Sequence, residues 1–413
     1  MTPVLDFLRS GSFLTKERMK LWPAALLAGF AVAILFLFVT AHGNTDYKGR
    51  PLGSDFASFY TAGTFVRDGH PAAPFEARLQ YAREKEIFGK EVPFFGWLNP
   101  PFLLLLVAPL GALPYIPALV VWQALTLALY LGGIALLLRN QSGVFREPGL
   151  WLLIALAFPA VFVNFIHGQN GLLTAALFAG ALAFLDERPM LAGVLFALLV
   201  YKPQFGIMIP LALVATGRWR TLGAAAVTVI MLAAIVTTLF GWSVWNSFLA
   251  SMQFAREFIL EQGGTGYYKM QSVFAGARML HAPVALSYVL QAATGAAAAI
   301  LLVRIWRSKA SLADKGAALC FSALVVTPYS YDYDFAALAP AIALLGAQGM
   351  TRGFRPYEKS ILVLLWAVPI LARGFAETTL IPLGVITILA ASGFLVRDIF
   401  QKAGQQAGVS SFG

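Results

Sequence analysis

Apolar runs long enough to cross a membrane recur along the whole chain, and they constrain its fold more than any other feature. The first, WPAALLAGFAVAILFLFVTA at 22–41, holds no charged residue. A hydrocarbon core about 30 Å thick is crossed by about 20 apolar residues in a helix. The 413 residues are 59% hydrophobic and 12% charged, whereas soluble domains carry about 25% charged residues. The sequence therefore predicts an all-α polytopic membrane protein.

Measured against this length, the runs predict about 12 transmembrane helices in one domain covering residues 1–413. The predicted spans are 22–41, 115–138, 148–167, 170–186, 189–202, 203–217, 219–241, 285–304, 313–328, 334–350, 357–374 and 378–396. The stretch 189–217 is short enough to form a pair of half-length helices. Residues 101–113 are predicted to form a re-entrant or tilted half-helix after Pro100 and Pro101, because prolines cannot continue a preceding helix.

The basic loops predict the orientation, since Lys and Arg are retained on the cytoplasmic side. The segments predicted inside are a leader at 1–21, the loops at 139–147, 186–188, 217–220, 304–310 and 351–359, and a tail at 397–413. The segments predicted outside are a first outer loop at 42–100, a second large outer loop at 242–284, and short loops at 167–170, 201–204, 327–334 and 373–377.

The two large outer loops have features of an interfacial environment. In EARLQYAREKEIFG (76–89), Leu79, Ala82 and Ile87 alternate with charges at helical spacing, which predicts an amphipathic helix lying in the membrane interface. The loop at 242–284 is rich in Trp, Tyr and Phe, residues that favour the headgroup level.

Composition argues against several classes of function. The formal charge of +10 reflects basic cytoplasmic loops rather than nucleic-acid binding. The single cysteine, Cys320, excludes an internal disulfide and is interpreted as a buried structural thiol. The four histidines form no HxxxH pair, so a zinc site has little support. No cofactor or metal site is predicted.

Ionisable groups collect on the predicted outer face, where they are costly unless paired, hydrated or functional. They are Asp55, His167, Lys202, Arg256, Lys269, Arg278, Asp332 and Asp334, accompanied by Gln169, Asn170, Gln204 and Gln271. This mixture suits an anionic headgroup, above all a lipid phosphate. Arg and Lys neutralise phosphate oxygens, while a carboxylate can accept a proton from an alcohol.

Structural roles are open alternatives for these residues. Asp55 stands where a helix N-cap or turn residue is common. Lys202, directly before a proline, also suits a snorkelling lysine, and His167 suits a satisfied interfacial histidine. Asp332 and Asp334 would share a face in a strand but not in a helix. They fit a polar loop as well as a divalent-cation pair, for which the signal is weak.

A series of motifs over residues 20–345 resembles glycosyltransferase family 87. In order, they are SDFASFY, RDGHPAAPFE, WLNPPFLLLLVAPL, HGQNGLL, LAGVLFALLVYKPQFG, YYKMQSVFAGA and TPYSYDYDFAAL. The resemblance implies a GT-C-like helical bundle in the bacterial inner (plasma) membrane, with its active site facing the periplasm or exterior. It also implies a polyprenyl-phosphate-linked sugar as donor, because family members of this kind include mannosyltransferases of glycolipid assembly.

The resemblance also implies roles for particular residues. Asp55 matches the family's acidic residue in the first outer loop, taken as the catalytic base. Lys202, Gln271 and Ser272 match polar positions that line the donor and acceptor cavity. The chain departs from the family in YSYDYD (329–334), where a histidine is expected. There Tyr331 is grouped with the substrate-binding candidates, and Asp332 or Asp334 could substitute for the histidine.

These expectations combine into one hypothesis. An inverting transferase would move a hexose, with mannose as the family default, to a glycolipid or envelope-glycan acceptor. Asp55 would accept the acceptor's proton, while Lys202 and one or more of the cations of 242–284 (Arg256, Lys269 and Arg278) would stabilise the released phosphate. The alternatives are a transporter or flippase of lipid-linked sugars and a polysaccharide polymerase or ligase. Transporters tend to show internal repeats and mid-membrane polar sites, and neither is visible here.

Overall fold

The computed structural model describes residues 3–140 and 147–410, which are mainly helical and include no β-strand. The first ten α-helices are α1 Pro3–Ser10, α2 Lys16–Val39, α3 Phe56–Arg67, α4 Ala77–Phe88, α5 Leu104–Val107, α6 Tyr115–Leu138, α7 Pro148–Leu156, α8 Pro159–His167, α9 Gly171–Phe184 and α10 Pro189–Ala197. They are followed by α11 Pro203–Gly206, α12 Met208–Ala215, α13 Trp219–Phe240, α14 Ser243–Phe254, α15 Val273–Met279, α16 Val284–Arg307, α17 Leu312–Val326, α18 Leu338–Arg352, α19 Glu358–Thr379 and α20 Leu383–Ser410. Parts of the predicted leader (1–2), inner loop (141–146) and tail (411–413) lie outside the described residues.

Five helices are long and apolar enough to cross a membrane, namely α2, α6, α13, α16 and α19. The pair α7 and α8, bent by 46°, makes a sixth candidate if it is one span. Other predicted spans are shorter in the structure: α9 has 14 residues, and α17 and α18 have 15 each. At 1.5 Å per residue such helices fall well short of a core about 30 Å thick. The all-helical membrane class is confirmed, whereas the count of about 12 transmembrane helices is not.

Two regions are broken into short helices; the sequence predicted this for 189–217, but it predicted 148–167 as one unbroken span. Residues 189–215 divide into α10, a 3₁₀ turn at Leu198–Tyr201, α11 and α12, which make two short apolar helices, Pro189–Tyr201 and Pro203–Ala215, as the half-length pair predicted. The bend between α7 and α8 occurs at Pro159, which lacks an N–H. The backbone oxygens near this break are used by other helices. Tyr130 on α6 donates to Ala155 O (3.3 Å), and Trp366 on α19 donates to Ile154 O (3.2 Å).

The segment Pro101–Ala112 is a short apolar helix, as expected, built from two 3₁₀ turns around α5. It packs directly on α3. A Cβ on Gly63 would lie 2.4 Å from Val107 O, and one on Gly111 would lie 2.3 Å from the carbonyl carbon of Gly63. Two glycines thus allow backbone-to-backbone contact between this segment and the helix that follows Asp55.

Ionic contacts join the loops predicted to be cytoplasmic. Arg139 pairs with Glu187 (2.6 Å), Arg218 pairs with Asp186 (2.7 Å), and Lys16 of the leader pairs with Glu147. In addition, Tyr357 N donates to Arg9 O at 2.8 Å. The leader and the loops after α6, α9, α12 and α18 are therefore joined to one another by direct contacts.

The helix predicted at 76–89 forms as α4. The side of α4 that is buried against the protein is not the apolar side that the sequence pattern picked out. Leu79 and Ala82 are exposed, while Gln80, Glu84 and Phe88 are buried. Gln80 Nε2 donates to Glu84 Oε1 (3.0 Å), and Phe95 N donates to Glu84 Oε2 (3.0 Å). Burial of this carboxyl group raises its pKa to about 7.

Candidate active site

Asp55 stands at the N-cap position of α3, but its side chain does not cap the helix. Its carboxylate is instead directed to another segment, where Gln169 Nε2 donates to Oδ2 at 2.8 Å. Ser54 Oγ lies 3.5 Å from Oδ1, and the residue is partly exposed. The positive end of a helix favours a carboxylate at this position. The carboxylate of Asp55 is thus held in place by Gln169 and remains accessible. A residue that served only as an N-cap would instead accept a hydrogen bond from the first turn of α3.

Close backbone packing brings Asp55 to Gln169. Gly53 (φ +70°) and Gly168 (φ +61°) both have left-handed backbones, which favour glycine. A Cβ on Gly168 would lie 3.0 Å from Gly53 O, so the two turns are in contact. Helix α6 supports both turns: Tyr115 donates to Leu52 O (2.6 Å) and Trp122 donates to Gly168 O (3.1 Å).

His167, the last residue of α8, is hydrogen-bonded through both ring nitrogens. Its Nδ1 lies 2.8 Å from Ser54 Oγ, and its Nε2 lies 3.2 Å from Arg373 Nη1. Arg373 also pairs with Asp332, since Nη2 lies 2.8 Å from Oδ1 and Nε lies 2.7 Å from Oδ2. Residues from four separate parts of the chain therefore meet beside Asp55.

Sequence reasoning missed Arg373, although it placed 373–377 on the outer face. The signal was available: Arg373 is a cation near the end of the apolar helix α19, where a charge is costly unless it is paired or functional. Asp332 provides that pairing and is itself buried.

Lys202 and Asp334 form a second, buried ion pair with Nζ 2.5 Å from Oδ1. Asp334 Oδ2 also accepts from Tyr331 N at 3.0 Å, and Lys202 lies over the ring of Tyr333 at 5.2 Å. The two aspartates of 329–334 thus have different cationic partners. Lys202 is neither snorkelling nor free to neutralise a phosphate in this arrangement.

Lys269 is the candidate cation that stays available near Asp55. It is half-buried and forms no ion pair within the described part of the chain. Burial lowers the pKa of its ammonium group, and the nearby charge of Arg373 lowers it further, while Asp55 and Asp332 raise it. The charges of Arg373, Asp55 and Asp332 therefore all act on Lys269.

The other two predicted cations are used elsewhere. Arg256 is exposed and lies 3.5 Å from Glu257 and 3.6 Å from Glu261. Arg278 donates to Ala282 O at 2.6 Å and to Tyr267 Oη at 3.1 Å. Within the described ranges, neither contacts Asp55, His167 or Lys202.

Several predicted polar residues mainly stabilise the surrounding fold. Gln271 donates to Tyr268 O (2.9 Å) and accepts from Gly384 N (3.0 Å). Ser272 caps α15 by accepting from Ala275 N at 3.1 Å.

The remaining polar candidates are the following. Tyr331 shares a hydrogen bond with Thr265 Oγ1 (3.2 Å), and its ring stacks on that of Tyr333. Asn170 is fully buried with no side-chain partner in the described structure, and Gln204 is half-buried without a hydrogen bond there.

Asp332 and Asp334 belong to no metal-binding group that the described residues form. No group of three or more His, Cys, Asp or Glu residues that could hold a metal ion occurs in the described ranges. Asp332 and Asp334 are each neutralised by a basic side chain instead.

Comparison with known proteins gives one match. No curated protein and no solved structure matches the chain. The model of glycosyltransferase family 87 matches residues 97–328, which is more than half of the 413 residues. The matched part includes His167, Gln169 and Lys202 but not Asp55 or Arg373. As the motifs predicted, the chain belongs to glycosyltransferase family 87.

Proposed function

We propose that this membrane glycosyltransferase is an inverting hexosyltransferase. Its donor would be a sugar linked to polyprenyl phosphate, with mannose as the first candidate. Its acceptor would be a glycolipid or envelope glycan at the outer face of a bacterial inner membrane. The basic loops that contact one another at the end away from Asp55 support this orientation, since such loops are retained in the cytoplasm.

One observation carries the proposal: an accessible carboxylate is oriented beside cationic side chains. Asp55 is held by Gln169, while Arg373 and Lys269 lie in its electrostatic surroundings. A polyprenyl-phosphate sugar already has a good leaving group at neutral pH, so the enzyme needs a base and positive charge rather than a general acid. The site supplies both.

The reaction follows from these groups. The acceptor hydroxyl oxygen attacks the anomeric carbon from the face opposite the phosphate, and its proton passes to Asp55 Oδ1 or Oδ2. The bond between the anomeric carbon and the phosphate oxygen breaks with its electron pair, which inverts the anomeric configuration. The released polyprenyl phosphate carries one more negative charge than the donor did. Lys269 and Arg373, whose charges both act within the site, would supply the compensating charge.

The structure changes the set of residues proposed for the phosphate. Lys202 is no longer proposed as a phosphate ligand, because Asp334 neutralises its charge. Arg256 is not proposed either, because Glu257 and Glu261 neutralise it. Lys269 becomes the leading phosphate ligand of the original set. Lys202 is instead proposed to hold the segment that carries Asp332.

The alternatives make different demands on the site. A transporter or flippase needs cations and broken helices but no oriented base. A polysaccharide polymerase or ligase shares the need for a base, and differs in transferring a longer glycan. The sugar-transfer assay described next distinguishes both alternatives from the proposed function.

The test incubates purified protein with a panel of polyprenyl-phosphate sugars and membrane glycolipid acceptors. Transfer of a single sugar with inverted anomeric configuration is expected, and Lys269→Met should slow it by about 10- to 100-fold. Arg78 on α4 is exposed and has no ion-pair or hydrogen-bond partner for its side chain among the described residues, so Arg78→Gln is the matched control. Donor binding without transfer by folded protein would instead favour the transporter, and transfer of preassembled glycans would favour the ligase.

A further inference from the structure

Three side chains form a continuous line of polar contacts that ends at Asp55. Arg373 Nη1 lies 3.2 Å from His167 Nε2, and His167 Nδ1 lies 2.8 Å from Ser54 Oγ. Ser54 Oγ lies 3.5 Å from Asp55 Oδ1. The line therefore connects a permanent cation to the carboxylate proposed as the base.

The direction of these hydrogen bonds is fixed by chemistry. A guanidinium group can only donate, so His167 Nε2 must accept and carries no proton. A neutral imidazole then has its proton on Nδ1, which donates to Ser54 Oγ. The hydroxyl proton of Ser54 is left free, and its hydrogen-bond acceptor is Asp55 Oδ1. Only this arrangement places a donor against an acceptor at every contact.

We propose that Arg373, His167 and Ser54 are positioning residues that orient Asp55 and keep it ionised. This inference rests on the proposed function, in which Asp55 is the catalytic base. The neutral imidazole of His167 links Arg373 to Ser54 by hydrogen bonds. It does not act as a second base, because both of its nitrogens are already hydrogen-bonded. The proton of the acceptor hydroxyl consequently has one destination, the carboxylate of Asp55.

The surroundings of Arg373 fix its guanidinium group in this role. Asp332 accepts a hydrogen bond from Nη2 and forms an ion-pair contact with Nε, leaving Nη1 directed at the imidazole. The last contact, from Ser54 to Asp55, is long for an O–H···O hydrogen bond. Catalytic hydrogen bonds are often long without substrate and shorten in the complex. Ser54 is thus placed to follow the carboxylate as the acceptor binds.

Other charged or titratable groups also act on Asp55, so its protonation depends on more than this line. They are the ammonium of Lys269 and the phenols of Tyr115, Tyr331 and Tyr333. The carboxylate of Asp332 acts on the neighbouring Lys269 and His167, and the uncharged amide of Gln169 donates to Oδ2. The variants below leave these side chains in place, apart from Asp332 in one of them. In the variants that keep Asp332, a change in the protonation of Asp55 is therefore attributable to the altered line.

Infrared difference titration tests the proposal without requiring a substrate. The carboxyl band lost in Asp55→Asn identifies Asp55, and its appearance on acidification gives the pH at which that group binds a proton. Ser54→Ala removes a donor to the ionised form, so the midpoint should move up by about one pH unit. Ser54→Thr keeps the hydroxyl and should restore the midpoint. The matched control Ser251→Ala should leave it unchanged, because in the described part of the chain this hydroxyl donates to Phe248 O alone.

Breaking the other end of the line should move the midpoint in the same direction. Arg373→Gln removes the cation but leaves Asp332 buried without its partner, which can prevent folding. The double variant Arg373→Gln/Asp332→Asn removes both charges and should still raise the midpoint, by less than Ser54→Ala does. Arg78→Gln is the control for loss of a cation on an exposed surface.

The two proposals fail in different ways. If Ser54→Ala and the folded arginine variant both titrate like the wild type, the positioning line is overturned, whatever the activity. If Asp55→Asn keeps near-normal turnover, the base assignment fails, whatever the titration. If both proposals hold, the acid limb of the kcat/KM profile of Ser54→Ala moves to higher pH and its turnover recovers at alkaline pH. A purely structural defect would lower the whole profile instead.

Discussion

Lys202 and Asp334 form a buried ion pair, 2.5 Å between Nζ and Oδ1, that joins the turn before α11 to the 3₁₀ segment Asp332–Ala337. Their side chains are 8% and 2% exposed. Removing one partner of such a pair leaves an uncompensated buried charge, which typically costs about 3–5 kcal/mol. Lys202→Met should therefore lower the apparent melting temperature strongly, as measured by thermal unfolding in detergent.

The double variant Lys202→Met/Asp334→Asn removes both charges and provides the control. It should recover most of the lost stability, since replacing both partners avoids the unpaired charge. If the two variants are equally unstable, or if Lys202→Met is as stable as the wild type, the pair does not have this structural role.

Gln169 should contribute to turnover by orienting Asp55. Gln169→Leu removes the 2.8 Å hydrogen bond to Oδ2. A hydrogen bond to a charged group is worth about 1.5–3 kcal/mol, so kcat should fall by about 10- to 100-fold. Gln253→Leu is the control, because this exposed amide donates to Glu257 and has no other side-chain hydrogen bond among the residues that the structure describes. Equal rates for these two variants would remove Gln169 from the site.

Glu84 should make the stability of the first outer loop depend on pH. Burial raises the pKa of this carboxyl from 4.5 to about 7, so the folded protein binds the proton more tightly than the unfolded chain does. Its contribution is fully present below pH 4.5 and is lost as the pH rises through about 7; it amounts to about 3 kcal/mol. Melting temperatures between pH 4.5 and 7.5 should show this fall in the wild type, whereas Glu84→Gln should flatten it. Parallel curves would contradict the prediction.

The contact between α3 and the segment Pro101–Ala112 should not tolerate a methyl group. In Gly111→Ala the new Cβ would lie 2.3 Å from the carbonyl carbon of Gly63, so the segment must move away from the helix that follows Asp55. We expect a lower melting temperature and reduced turnover. Gly132→Ala, on α6 with no atom within 4 Å of the new Cβ, should behave like the wild type. Equal behaviour of both variants would show that the close approach is unimportant.

The sequence predicted which segments collect near the site better than it predicted their contacts. Hydropathy and basic loops grouped Asp55, His167, Gln169 and the aspartates of 329–334 on one face, and the structure brings these residues together. The pairing of Lys202 with Asp334 spans 132 positions. Such a contact depends on how the helices pack, which a single sequence does not reveal.

The predictions also differed from the structure for physical reasons. Arg256 and Arg278 lie in the expected loop, but each binds a group close to it in sequence and not Asp55. Arg256 pairs with Glu257, and Arg278 donates to the backbone oxygen of Ala282. Arg373 was overlooked because it belongs to a helix that could be assigned as a simple span. Helices such as α9 are apolar because they are buried inside the protein, so apolar length alone did not give the number of crossings.

The most direct test of the central claim compares the turnover of Asp55→Asn with that of the wild type on the polyprenyl-phosphate sugar that the donor panel identifies. A positioned base contributes about 10²- to 10⁴-fold, and asparagine keeps the size of the side chain while losing its ability to accept the proton. The account predicts turnover reduced by at least about 100-fold, with donor binding and melting temperature nearly unchanged. Near-normal turnover in the folded variant would contradict it.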